Sequence, residues 1–265
     1  MVTGIDHLVI AVPDLDAAAH ELEQRVGLSI AGGGRHEGSG TENRIAFLAD
    51  GSYVELIAVE DRDAAAASPV GAAAMRQLDS AGAGLATFAL AEDHLVDTTA
   101  KLAANGSSLG DVRPGSRRRA DGELVEWSSA FPAELNLGSP PFLIQHTYAG
   151  AEWGPDALAA RRAFAHPVGS SVILARLDIA TPDPPSLAAR YLRDLGIEFW
   201  AVSDLAVADV GPHVIRLVPS REMDMPAVIA LGAEIPQPRS SDALGVRIAI
   251  EVTAVRDVLS AQAAG

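Results

Sequence analysis

A strand–helix–strand–strand–strand pattern recurs in this chain of 265 residues, at intervals of about 80 residues. In the first copy, a strand is predicted over residues 4–12, and Asp14 is predicted to cap the helix that follows. Gly27 lies where such a helix commonly ends. Three further strands are predicted over residues 28–31, 43–48 and 51–57. The repeat constrains the fold strongly, because its copies are expected to pair across a shared sheet.

The later copies become less complete along the chain. The second is predicted to contain a strand, a helix and three strands, at residues 84–91, 93–104, 108–112, 122–128 and 141–146. The third begins at Ser171 and is predicted to end with a strand over residues 227–231. The fourth is predicted to be a stub, with one strand at residues 246–252 and a terminal helix.

Three regions are predicted from this organisation. Residues 1–150 should form paired modules that contain the ligand cleft, and residues 151–170 an Ala-rich helical connector. Residues 171–265 should form a degenerate, incomplete module pair.

The charge of the chain is strongly acidic, with 35 acidic against 20 basic residues and a formal net charge of −15. Nucleic acids and anionic membranes both attract basic patches, so neither is expected as the main partner. The chain has no cysteine, which leaves His, carboxylate, amide or water as ligands for any metal. Because no secretory leader is present and no apolar run approaches the roughly 20 residues that span a bilayer, a soluble cytoplasmic protein is expected.

Four segments of the first copy carry a family resemblance: residues 4–15, 32–36, 40–44 and 53–56. They resemble the glyoxalase-like branch of the vicinal oxygen chelate superfamily. The resemblance implies an α+β fold in which repeated βαβββ modules pair into curled half-barrel mixed sheets. It also implies a cleft that usually holds a divalent metal, in proteins that include lyases, isomerases, epimerases, dioxygenases and drug-binding resistance proteins.

His7 and Glu55 are the leading site candidates, because each lies on an otherwise apolar face of a predicted strand. An ionisable group there is costly unless it is paired, hydrogen-bonded or bound to a metal. Imidazole with carboxylate suits Zn, Mn, Ni, Fe or Co, and by resemblance the two positions match the usual metal ligands of the family. The alternative is that the two side chains only hydrogen-bond each other in a cleft.

The second copy should supply the other ligands. Thr87 occupies the position that matches His7, and Thr is a poor metal ligand. Gln145 is the best match to Glu55 and completes the predicted metal set of His7, Glu55 and Gln145. His146 is adjacent, but the alternation of side chains along a strand points it to the opposite face from Gln145.

The glycine-rich stretch 32–43 is predicted to line the cleft as a loop, with His36, Thr41 and Asn43 directed at the substrate. An ordinary flexible hairpin loop is the alternative. The stretch lacks the strand-to-helix setting and the Gly-Lys-Ser/Thr ending of a phosphate-binding loop, so no nucleotide cofactor is expected. Trp127 is predicted either to floor the ligand pocket or to pack in the core.

The one basic cluster of the chain comprises residues 117–119, with Arg113 nearby. Such a cluster binds a carboxylate or a phosphate in some proteins, and in others it is a solvated hairpin tip. The sequence leaves both interpretations open.

The functional hypothesis is a glyoxalase-like enzyme acting on a small oxygenated molecule by divalent-metal-assisted lyase, isomerase or dioxygenase chemistry. The metal would polarise an oxygen of the substrate, and Glu55 would move a proton. The alternative is a metal-free protein that binds or sequesters a small molecule, as resistance proteins do. A homodimer is one assembly that this class allows.

Overall fold

A computed structural model describes residues 2–262 of the chain. The strands are β1 (Val2–Ala11), β2 (Gly32–His36), β3 (Thr41–Phe47), β4 (Tyr53–Val59), β5 (Gly84–Glu92), β6 (Arg113–Arg119), β7 (Leu124–Ala130), β8 (Phe142–His146), β9 (Val172–Thr181), β10 (Trp200–Val202), β11 (Leu205–Val210), β12 (His213–Pro219), β13 (Ala227–Ala233), β14 (Arg239–Ala243) and β15 (Val246–Val252). The α-helices are α1 (Leu15–Glu21), α2 (Arg62–Ala67), α3 (Pro69–Ala81), α4 (Leu95–Ala104), α5 (Gly150–Trp153), α6 (Pro155–Ala163), α7 (Pro184–Leu195) and α8 (Val255–Gln262). A π-helical segment, Leu22–Val26, extends α1 to Gly27, and a 3₁₀ turn spans Ser220–Glu222.

The first two modules close into an eight-stranded barrel in the order β1-β4-β3-β2-β6-β7-β8-β5. Each module pairs its first and last strands in parallel, as β1 with β4 and β5 with β8. The two modules join along an antiparallel β1–β5 seam and, on the opposite side, along β2 and β6. The predicted α+β class with paired βαβββ modules is confirmed, and the two curled halves meet to complete a barrel.

The position of strand β2 differs from the prediction. A strand was expected over residues 28–31, followed by a loop from Gly32, and both expectations are wrong. The strand instead begins at Gly32, between β3 and β6. Gly33 and Gly34 have φ values of 140° and 154°, and a Cβ at these positions would lie 2.3 Å and 2.1 Å from the carbonyl oxygens of Asn43 and Arg118. The glycines therefore permit the close approach of three strands, which the sequence alone does not reveal.

Strand β6 likewise lies later than expected, at Arg113–Arg119 rather than at residues 108–112. The segment predicted as a strand is bound to helix α7 instead. The Ser108 backbone N–H donates to Asp194 Oδ1 at 2.9 Å, and the Ser107 hydroxyl donates to the Asp194 carbonyl at 2.7 Å. These tertiary hydrogen bonds hold residues 107–108 against α7, away from the sheet.

The second half of the chain forms a seven-stranded sheet in the order β10-β11-β12-β9-β13-β15-β14. Strand β13 pairs antiparallel with β9 and parallel with β15, as β5 does with β1 and β8 in the barrel. The fourth module therefore begins at Ala227 and has three strands, which corrects the prediction of a one-strand stub at residues 246–252. It lacks the helix and one strand of the complete module.

The barrel and the second sheet share one apolar core. Leu8 and Ile10 of β1 belong to the same buried cluster as Leu177 and Ile179 of β9. Alternate residues of β1, which include His7 and Val9, face the inside of the barrel. None of the helices within residues 2–262 combines the length and the apolar character needed to cross a membrane.

Candidate active site

The interior of the barrel contains a cavity of about 420 Å³. Six of the seven residues predicted for the site line it: His7, His36, Thr41, Asn43, Glu55 and Trp127. Thr41 and Asn43 lie on β3, His36 lies on β2 and Glu55 lies on β4, so the curl of one module brings them together. The volume of the cavity lies in the range that small-molecule sites commonly have.

Glu55 is only 4% exposed and lies between two histidines. Its Oε2 is 3.6 Å from His7 Nε2, and its Oε1 is 3.6 Å from His36 Nε2. The Asn43 side-chain amide donates a hydrogen bond of 2.6 Å to Oε1. One oxygen of the carboxylate is therefore held by an amide, while the other faces an imidazole in the cavity.

His36 is held by a short chain of polar contacts. Its Nδ1 lies 2.8 Å from Thr41 Oγ1, and its Nε2 lies 3.4 Å from Asn43 Nδ2. The Asn43 Oδ1 in turn accepts the Gly34 backbone N–H at 2.9 Å, which fixes the amide orientation. Burial lowers the pKa of His36 below that of a free imidazole and outweighs the opposing attraction of Glu55. His36 is therefore expected to be uncharged near neutral pH.

Asp6 is a member of the site that the sequence argument missed. It accepts hydrogen bonds from His7 Nδ1 at 2.6 Å and from His146 Nε2 at 3.1 Å. Burial raises the pKa of Asp6, but the charges and hydrogen bonds of His146 and His7 outweigh this and lower the pKa below the usual carboxyl range. The β1–β5 register shifts between Ile5 and His7, so simple alternation along β1 does not place Asp6.

The structure reverses the predicted orientation of the β8 pair. His146 is buried, lines the cavity and stacks on Trp153 with ring centroids 3.9 Å apart. Gln145 points the other way, and its Oε1 accepts the backbone N–H of Leu95 at 3.0 Å, at the start of α4. His94 supplies no side-chain cap to this helix, so the amide of Gln145 satisfies one of its free N–H groups. Side chains alternate along β8 as predicted, but His146 and not Gln145 faces the cavity.

The predicted metal set of His7, Glu55 and Gln145 is consequently not brought together. Within residues 2–262, no group of three or more His, Asp or Glu side chains has an arrangement that could hold a metal ion. One Glu55 oxygen is engaged by Asn43, and the amide expected as the third ligand lies at the start of α4. Thr87 is buried but does not line the cavity. The residues present do not fit the metal site that the resemblance implies.

The basic cluster at residues 117–119 is neutralised by carboxylates. Arg117 is buried and forms an ion pair with Glu152, which is also buried, and it donates to the Gly33 carbonyl at 2.6 Å. Arg118 pairs with Glu37 at 2.7 Å. Arg119 pairs with Asp121 at 2.9 Å. The three arginines therefore support the structure, and none is left free for a ligand.

Two paired βαβββ modules closed around an inward-facing histidine on β1 and glutamate on β4 define a protein of the vicinal oxygen chelate fold. Residues 5–195 match the family model of the glyoxalase-like domain, and the chain belongs to that family. This span covers the barrel from Ile5 onward and extends through α7. No curated protein sequence matches the chain.

The chain is also similar to several solved structures, and the two with TM-scores above 0.5 share its fold. A hypothetical protein from Staphylococcus aureus is 14% identical, with a TM-score of 0.76 over 94% of this chain and 99% of that one. A mutant of 4-hydroxymandelate synthase from Streptomyces coelicolor is 13% identical, with a TM-score of 0.54 over 99% of this chain and 76% of that one. Methylmalonyl-CoA epimerase from Mycobacterium tuberculosis is 21% identical, with a TM-score of 0.42 over 55% of this chain and 89% of that one.

Proposed function

We propose that this protein is a glyoxalase-like enzyme that transfers a proton on a small oxygenated molecule, as a lyase or an isomerase, with Glu55 as the base. The observation that carries the proposal is the buried Glu55 carboxylate, which lies between two imidazoles in the cavity of the barrel. Membership of a family with enzyme members supports the general class. The particular chemistry rests on the geometry of the site.

The proton acceptor is Glu55 Oε2, because Asn43 engages the other oxygen. A substrate held with a carbon–hydrogen bond next to a carbonyl group would give its proton to Glu55, and the electron pair would move onto the carbonyl oxygen. Return of a proton to a different atom or face of the substrate would complete an isomerisation. General base catalysis of this kind accelerates reactions by about 10²–10⁴-fold.

His7 is the second proton-transfer group. Its Nδ1 is held by Asp6, so its Nε2 is the nitrogen that faces Glu55 and the substrate. Tyr53 stacks on the His7 ring with centroids 4.5 Å apart, which restricts rotation of the imidazole. The protonated Glu55 can pass its proton to His7 Nε2, and the imidazolium can then return it to the substrate, which restores both groups.

The proposal is tested by hydrogen exchange, which requires no knowledge of the product. A panel of small ketones, oxo acids and hydroxy ketones is incubated with the protein in deuterated water, and exchange next to the carbonyl is followed by NMR. We expect catalysed exchange with at least one compound, and a loss of about 10²-fold or more in the Glu55→Gln variant. Glu60→Gln is the matched control, because Glu60 lies on the surface and pairs with Arg35.

Equal exchange by the wild type and by Glu55→Gln would overturn the role of Glu55. Binding of panel members without any exchange would favour the alternative, sequestration of a small molecule. That alternative is supported by the apolar part of the cavity wall, to which Trp127, Phe131 and Phe142 contribute.

Measurement of bound divalent metal in the wild type and in His7→Ala tests the metal-assisted form of the hypothesis. A cytoplasmic location and a homodimer remain predictions.

A further inference from the structure

The cavity around Glu55 adjoins a second, more open cavity of about 780 Å³. The residues that line both cavities come from the junction of α2 and α3 and from the neighbouring ends of β6 and β7: Ala67, Ser68, Pro69, Arg113 and Phe131. The two cavities therefore adjoin at these five residues, and their shared rim is taken as the opening of the inner cavity. A ligand longer than the inner cavity would leave it through this opening.

Arg113 lies at the opening and is the arginine of the sequence cluster that carboxylates leave free. It is exposed, and no carboxylate within residues 2–262 lies within 4.0 Å of its guanidinium. Its neighbours Arg117, Arg118 and Arg119 are each paired with an acidic side chain. In a chain of net charge −15, an arginine without an acidic partner at a cavity opening is a ready binding group for an anion.

The strand β6 connects this opening to the inner site. Arg113, Gly115 and Arg117 share the face of β6 that lines the inner cavity. Four residues along a strand correspond to roughly 13 Å, so Arg113 lies about that far from the level of Arg117. Between them the Trp127 ring covers Gly115, where a Cβ would lie 2.4 Å from Trp127 Nε1. An aromatic surface thus joins the inner site to the arginine.

We propose that the substrate carries a carboxylate, which Arg113 binds at the opening while the oxygenated head of the molecule reaches Glu55. The inference rests on the proposed function for the position of the head. The substrate class is therefore that of carboxylic acids with a second oxygenated group. Arg113 forms a charge-assisted hydrogen bond that selects the acid over neutral analogues of the same shape.

The surroundings of Arg113 favour a carboxylate over a phosphate. Asp111 and Glu134 line the same outer cavity, and they would repel a doubly charged group more strongly than a singly charged one. The other arginine of the outer cavity, Arg76, donates to the Leu135 carbonyl at 2.7 Å. A single guanidinium therefore remains at the opening itself, which matches a single negative charge.

The test compares benzoylbutyrate with its primary amide, two probes of the same shape that differ in charge, by titration calorimetry. The wild type should bind the acid about tenfold or more tightly than the amide, which is the discrimination expected of one charge-assisted contact. Arg113→Gln should reduce this preference to less than about twofold. The control Arg118→Gln should keep it, because Arg118 pairs with Glu37 and lies outside both cavities.

The reversal variant Arg113→Glu should prefer the matching primary amine to the acid. Circular dichroism of each variant checks that the barrel is intact, and loss of structure is not expected because Arg113 is exposed. The inference is overturned if the wild type binds neither probe or binds both equally. It is also overturned if Arg113→Gln keeps the preference for the acid.

This test is separable from the test of the proposed function. Glu55→Gln should retain the preference for the acid, because the carboxylate contacts Arg113 and not Glu55. If hydrogen exchange is absent while the preference depends on Arg113, the proposed catalysis fails and the carboxylate site stands. If exchange depends on Glu55 while Arg113→Gln has no effect on the preference, the substrate class is wrong and the catalysis stands.

Discussion

At the scale of single residues, the site is organised by two buried carboxylates that differ in what surrounds them. Asp6 accepts hydrogen bonds from two imidazoles, whereas Glu55 accepts one from an amide and faces two imidazole nitrogens at 3.6 Å. Asp6 Oδ1 thus holds both rings and acts by positioning His7. Glu55 retains an oxygen that is open to the cavity, which is the requirement for a general base.

The lowered pKa of Asp6 leads to a testable prediction about the free energy of unfolding. Because the folded-state pKa lies below the unfolded value, ionised Asp6 stabilises the fold at pH values above the unfolded pKa. The stabilisation is lost as the pH falls through the folded pKa. Asp6→Asn should therefore lower the free energy of unfolding by about 1–3 kcal/mol at pH 7, where it removes a charged acceptor from two imidazoles. The difference should shrink below about pH 4.

Urea unfolding of the wild type and of Asp6→Asn, at neutral and at acid pH, measures this difference. Asp16→Asn is a suitable control. The Asp16 side chain is 91% exposed, and its one ion pair is a loose contact of 3.6 Å with an arginine. A difference between Asp6→Asn and the wild type that stays constant with pH would show that Asp6 does not act through its charge.

At the scale of secondary structure elements, the sequence predicts the strands and helices whose signals are local. The β1 strand, the cap at Asp14 and the glycine at the end of the first helix are all found. The β2 strand was missed because its formation depends on the approach of β3 and β6 and not on the propensity of its glycines.

The residues of the site likewise differ in whether a local pattern in the sequence or only tertiary contacts reveal them. His7 and Glu55 could be found from the sequence, because an ionisable side chain on an apolar strand face is a local signal. The choice between Gln145 and His146 could not, since it depends on the unpaired N–H groups at the start of α4. Asp6 was hidden for a related reason, the irregular register of β1 against β5.

The glycines of β2 lead to a prediction at this scale. Gly34→Ala should destabilise the protein by about 3 kcal/mol or more, because the new Cβ would lie 2.1 Å from the Arg118 carbonyl oxygen at a φ of 154°. Gly38→Ala is the matched control, since Gly38 also has a positive φ, 71°, but a Cβ there would meet no atom within 4 Å. It should cost about 1 kcal/mol from backbone strain alone. Chemical denaturation distinguishes the two, and equal effects would contradict the packing argument.

At the scale of the whole molecule, the second sheet is joined to the barrel by polar contacts as well as by the shared core. The buried Asp50 carboxylate accepts the Leu174 backbone N–H at 2.7 Å and lies 3.4 Å from His213 Nε2. His213 Nδ1 in turn accepts the backbone N–H of Ile5 at 2.8 Å. These contacts connect the β3–β4 turn, β9, β12 and β1, so the degenerate half supports the strand that carries His7.

This connection predicts that the barrel and the second sheet unfold together, although the domain boundaries proposed at residues 150 and 170 would allow them to separate. The Trp200→Phe variant removes the tryptophan of the second sheet. The remaining tryptophans, Trp127 and Trp153, lie in the barrel and the connector, so fluorescence reports unfolding of the first half of the chain. Circular dichroism reports both halves. The two urea curves should coincide, and Asp50→Asn should shift both to lower urea by the same amount, because a lost buried acceptor costs about 1–3 kcal/mol. A separate transition seen only by circular dichroism would show instead that the two halves unfold independently and that the contacts of Asp50 and His213 do not couple them.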